Sequence, residues 1–164
     1  MVPCVKTDFS QPDRCHDNVK EMTRHHGGYA QRGWSIRTLV GVAVWMELHS
    51  VWRHPQGHLL CVTEPPSAHL RTIAFLPDSS MDATRSGLPS LHFPWSDDPL
   101  CRDFVEQMHA LDCLYFPAGA PYRTRDRIDE AQVALVKNRM REIRLLLQNQ
   151  MKKAQQDAAL KLQE

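Results

Sequence analysis

The sequence has little that would tie it to a membrane, to nucleic acid or to a disulfide scaffold. Its longest apolar stretch, Leu39 to Met46, is far short of the ~18–20 residues that span a bilayer. The first fifteen residues, MVPCVKTDFSQPDRC, lack an apolar core behind a basic start, so no export signal is expected. Neither sign of charge dominates: 20 basic and 19 acidic side chains leave +1, which argues against a protein held to nucleic acid by bulk charge. Cysteine is sparse, 5 in 164 residues, and an odd number cannot pair fully within one chain. The thiols are therefore read as reduced and the protein as cytoplasmic. There is no G-x-x-x-x-G-K-[ST] loop, G-x-G-x-x-G turn, G-x-S-x-G elbow, or H-x-E with P-C-x-x-C. P-loop nucleotide hydrolysis, dinucleotide redox chemistry and zinc deamination are disfavoured, and no cofactor is expected.

The near-neutral total hides two unlike parts. Residues 121–164 carry 10 basic and 6 acidic groups, net +4, while residues 1–120 carry 10 and 13, net −3. Proline and glycine are absent after about residue 123. That stretch reads as one helix from about Asp126 to Leu162, with Val133, Val136, Met140, Ile143, Leu147, Met151, Ala154 and Ala158 at steps of three and four. Asp126, Asp129 and Glu130 supply negative charge at its start, and Lys152, Lys153 and Lys161 positive charge at its end. The stripe is too long for a small domain to cover. It either packs on its own domain and then protrudes, or it meets a partner helix or a second copy in a coiled coil. Domains are expected at 1–122, an α+β globular part, and 123–164, the amphipathic helix.

A second helix is predicted from Asp13, as N-cap, to His26, with Val19 and Met22 inward and Gly27-Gly28 as its stop. Strands are expected over Trp34–Val44, Glu47–Arg53, His58–Thr63 and Arg71–Leu76, the middle pair joined by a turn at His54-Pro55-Gln56-Gly57. Residues 79–99 read as a long loop with Leu91-His92-Phe93 locally ordered, and Asp98–Leu114 as a helix. Trp34, Trp45 and Trp52 are expected in the core. A helix, several antiparallel strands and then helices make an α+β layout.

Cys15 falls in the first turn of the first helix, where free amides and the dipole favour a thiolate. A nucleophile of this kind needs a base and a third group that orients the base. His49, on a predicted strand, is the candidate base, and Glu64, after the next strand, the candidate orienter. The bland readings are a small buried cysteine and a hydrogen-bonded strand histidine. Glu47 reads as a surface residue or a partner to a local arginine.

The segments Cys15-His16-Asp17-Asn18-Val19, His26-Gly27-Gly28, Gly33-Trp34, Glu47-x-His49-x-Val51-Trp52 and Pro55-x-Gly57-x-Leu59 together resemble a poorly characterised bacterial group. That group is similar to papain-like folds such as the protein glutaminase and amidohydrolase groups. The resemblance covers roughly residues 13–66. It implies a papain-like core, an N-terminal helix packed on an antiparallel sheet, and acyl transfer at an amide or isopeptide bond of a protein or peptide. Cys15 would attack and His49 would act as base. In one respect the sequence departs from the pattern: the strand after the turn usually carries an aspartate in a D-x-T-P context, and here Cys61 stands there. The orienting role would then fall to Glu64, to a polar group such as Asn18, or to none. With a two-residue turn Cys61 lies on the face opposite His49 and Glu64 on the same face; a one-residue shift reverses this. The alternative function is a non-enzymatic inhibitor or adaptor that binds its partner through the C-terminal helix.

Cys4, Cys15, His16, His49 and Cys61 are suitable ligand types for zinc. Their spacing, without C-x-x-C or H-x3-H, argues against a metal site.

Overall fold

The computed structural model describes residues 1–64, 69–81, 89–115 and 128–161. The chain forms two compact units. The first comprises Met1–Arg37 and Met46–Leu88, and the second Thr38–Trp45 and Pro89–Glu164. The expected boundary at 122/123, the helix start at Asp126 and its end at Leu162 lie outside the described residues.

In the first unit a helix, α1 (Cys15–His26), packs on a sheet of β1 (Val2–Pro3), β2 (Tyr29–Leu39), β3 (Ala43–Arg53), β4 (Leu59–Leu60) and β5 (Thr72–Pro77). The strand order is β1-β5-β2-β3-β4, and β5 is antiparallel to both β1 and β2, as β4 is to β3. Just beyond β4, Cys61 forms a parallel bridge with Cys4, just beyond β1. The first and last strands thus meet, and the sheet curls until its order closes on itself. Alternation along β3 then decides what each face buries. Val51 packs with Val2, Cys61, Ile73 and Phe75 on one face. Trp52 packs with Val19 and Met22 of α1 and with Val62 on the other.

The α1 start differs from expectation. Asp13 has a positive φ of 57°, and the cap position is Arg14, without a side-chain cap bond. Aspartate tolerates the left-handed region, so Asp13 turns the chain into the helix instead of capping it. At the other end Gly28, at φ +75°, lies against the Arg53 carbonyl and the Trp52 indole, leaving no room for a Cβ. The Trp52 indole N–H also donates to the Gly27 carbonyl at 2.8 Å.

The strand expected over Trp34–Val44 is in fact the end of β2 and the start of β3, divided by a turn at Val40-Gly41. Val42 N–H donates to Leu39 O at 2.9 Å, and Gly41 has φ +75°. Apolar residues on both sides of Gly41 conceal that break from any periodicity argument. Of the three tryptophans, Trp52 is buried, while Trp34 and Trp45 are half-buried.

In the second unit β6 (Leu91–Pro94), α2 (Pro99–Tyr115) and α3 (Glu130–Lys161) accompany residues 38–45. Asp98 and Asp129 accept backbone N–H bonds at the starts of α2 and α3. Ile143 and Leu147 of α3 pack with Cys101 and Phe104 of α2 and with Val42 and Ala43. From Gln148 to Ala159 every α3 side chain is exposed, so the apolar stripe is covered over its first half only. Among the described residues, no helix is long and apolar enough to cross a membrane.

Candidate active site

The first turn of α1 docks on β3 at Ser50. The His16 Nδ1 and the buried Ser50 hydroxyl lie 2.6 Å apart, and the Ser50 backbone N–H faces the Cys15 sulfur. The N–H groups of His16 and of Cys15 itself face the same sulfur. These are among the amides a helix start leaves without intrahelical partners. Cys15 is half-buried beside the strand that carries His49, one residue from Ser50. Asn18, one turn on, is 2% exposed. It accepts from Gln11 N–H at 3.1 Å and donates to Gln11 O at 2.7 Å and to Thr63 Oγ1 at 3.4 Å. Asn18 thus ties the segment before α1 to the segment after β4, and Val19 fills the core below.

The His49 Nε2 lies 3.3 Å from Cys61 Sγ, and its ring meets Phe75 edge-on at 6.4 Å. Loop length places this pair. Trp52 faces Leu60 and Arg53 faces Leu59, and His54 N–H donates to His58 O at 2.9 Å, so the hairpin has a three-residue loop. Gly57, at φ +95°, supplies the left-handed residue such loops use. Compared with a two-residue turn the register moves by one, which brings Cys61 to the His49 face. Glu64 instead pairs with Lys6 Nζ at 2.7 Å on the surface. Glu47 pairs with Arg37 at 3.0 Å.

The Cys61 thiol lies 3.9 Å from Thr63 O, to which it donates. Its sulfur is then an acceptor for an Nε2–H of His49, the tautomer that leaves the Nδ1 lone pair free. Electrostatics keep the whole set uncharged at neutral pH. Burial pushes the Cys15 thiol up; the N–H groups of Ser50 and His16 counter this, and nearby Cys61 adds to it. Burial, with the positive charge of Arg37 and then of His16, holds His49 down to about 4. His16 is lowered by burial and by Arg32, partly offset by Asp17. Cys61 is raised by burial. Burial therefore favours the thiol form of Cys15, against the thiolate expected from its place at a helix start.

Sequence reasoning missed Ser50 and Arg37, and named Cys4 only among possible zinc ligands. Ser50 and Arg37 matter only through which strand face meets α1 or His49, and Cys4 only through closure of the sheet. None has a local signature. Among the described residues no three His, Cys, Asp or Glu side chains are placed to hold a metal ion. No known protein family, curated protein or solved structure matches the chain.

Proposed function

We propose that the first unit is a papain-like cysteine hydrolase or amidase acting on an amide or isopeptide bond of a protein or peptide. Cys15 is the nucleophile and His49 the general base. The reading rests on one observation: the α1 first turn that carries Cys15 docks on β3 through His16 Nδ1 and the Ser50 hydroxyl, 2.6 Å apart, one residue from His49, whose Nε2 is engaged by Cys61 at 3.3 Å. In this reading Cys61, and not Glu64, is the positioning residue.

The thiol proton passes to His49 Nδ1 as the sulfur bonds to the carbonyl carbon. The amide C–N bond then breaks, the leaving nitrogen takes the proton from His49, and water hydrolyses the thioester with His49 again as base. The amides around Cys15 stabilise the charge that develops on sulfur. A neutral sulfur accepts hydrogen bonds more weakly than a carboxylate, so the imidazolium gains less support than in a triad with an acid. Assay of glutaminyl peptides for ammonia release and of lysine isopeptides for amine release tests the proposal. Release from either substrate that is lost in Cys15→Ser supports it. Release that persists in the variant, or none from either substrate, overturns it.

A non-enzymatic binding role is favoured by the exposure of Leu135, Leu145 and Leu146 on α3 and by the uncharged resting state of Cys15 and His49. Light scattering of the full chain and of a chain ending at about Arg125 separates the two. Loss of an oligomer on truncation supports the binding role, and two monomers with no partner lost count against it.

A further inference from the structure

Cys4 takes no part in the mechanism above, yet it is the direct ladder neighbour of Cys61. Cys61 N–H donates to Pro3 O and Val5 N–H to Cys61 O, both at 2.8 Å, so Cys61 is bonded to the residues on either side of Cys4. In a parallel ladder this places the two side chains next to each other on one face. Both belong to the same apolar cluster as Val51 and Phe75. Neighbouring strands lie about 4.8 Å apart. Disulfides need Cα separations of roughly 4.4–6.8 Å, so the bridge needs no large movement of backbone. Cys4 is the half-buried member and Cys61 the buried one, 3% exposed.

We propose that Cys4 and Cys61 form an oxidisable dithiol whose closure to an intramolecular disulfide withdraws the Cys61 sulfur from His49. The oxidant is a small-molecule disulfide. The Cys4 thiolate attacks one of its sulfurs, the small S–S bond breaks, and one small thiol departs. Cys61 then attacks Cys4 in the mixed disulfide, a Cys4–Cys61 bond forms, and the second small thiol leaves with the Cys61 proton. Two protein thiols are oxidised and one small disulfide is reduced to two thiols. Formation of the bond stands apart from the hydrolase reading. Its effect on turnover rests on that reading, because a disulfide sulfur bonded to Cys4 no longer orients the imidazole.

The test incubates the full chain with oxidised glutathione, alkylates the remaining thiols and maps the peptides by mass spectrometry, with histidine ring NMR on the same samples. The expected result is a peptide linking Cys4 to Cys61, reversed by dithiothreitol and absent in Cys4→Ser, with a moved His49 ring signal. Linkage of Cys61 to Cys15, or full alkylation of Cys4 and Cys61 after oxidation, overturns the proposal. If the Cys4–Cys61 link forms but the His49 signal stays in place, the coupling to His49 is refuted and the dithiol stands. Amide turnover measured in parallel falls at least tenfold on oxidation if both readings hold. Linkage with a moved His49 signal but no turnover in the reduced protein faults the hydrolase reading alone.

Discussion

Among the described residues each unit has a contact between a histidine and a cysteine, and the two contacts differ in almost every respect but residue type. In the first unit His49 Nε2 meets Cys61 at 3.3 Å, inside a curled sheet and on a strand that docks the start of α1 at Ser50. In the second, His109 Nε2 and Cys113 lie 3.7 Å apart on successive turns of α2, with Cys113 exposed. The second unit also has a buried cysteine, Cys101, which packs with Phe104 and Ile143 and donates to Gly41 O at 3.5 Å. It serves there as a small apolar side chain. Thiol and imidazole together do not make a reactive site. Burial and a helix start that docks one residue along the strand, at Ser50, set the first pair apart.

The comparison breaks most visibly at Cys15. Cys15→Ser is expected to lower amide turnover by about 10³-fold or more, the scale seen when a nucleophile is removed, while Cys113→Ser leaves turnover unchanged. Steady-state assay of both variants checks this, and an equal loss in both would erase the distinction between the units.

Stability against pH sharpens it next. Folded His49 takes up a proton only near pH about 4, against 6.5 as its ordinary value. Between those values the unfolded chain binds more protons than the folded one, so stability is full above the upper value and falls as pH is lowered. The loss by pH 4 is on the order of 3 kcal/mol. His16, also lowered, acts in the same direction. Urea unfolding at pH 7.5 and 4.5 should show the decline in the wild type and a flatter response in His49→Gln.

The smallest effect is expected at Glu64. Its ion pair with Lys6 lies at the surface, with side-chain exposures of 38% and 69%. Glu64→Gln should cost less than about 0.5 kcal/mol and leave the pH–rate profile in place. A shifted profile would return the orienting role to Glu64.

Much of this was legible in the sequence because it follows from local rules. The periods of α1, α2 and α3, the Gly27-Gly28 stop and the Pro55-Gly57 hairpin can each be read from neighbouring residues. The His49 partner could not. One residue of loop length decides whether Cys61 or Glu64 shares its face, and the choice was fixed by Gly57 and the His54–His58 closure. Ser50 and the pairing of Cys4 with Cys61 were hidden for a related reason. Their significance comes from contacts 34 and 57 positions away along the chain, to His16 and to Cys61. Cys61 itself was read as standing in place of an acid and as a possible zinc ligand, not as the neighbour of the His49 ring, which it meets at 3.3 Å.

The central claim is that Cys61 holds the orienting position on the base that serves Cys15. Cys61→Asp tests it most directly, read as the rate and site of labelling by a peptidyl electrophile across pH 5 to 9. A charge-assisted bond to His49 is worth about 1.5–3 kcal/mol. The account predicts labelling confined to Cys15, faster by roughly 10- to 100-fold at neutral pH, with the profile shifted as the His49 value rises and the gain lost in the double variant with His49→Gln. Labelling of Cys15 that is no faster in Cys61→Asp and indifferent to His49, or that spreads equally to Cys4 and Cys113, would contradict it.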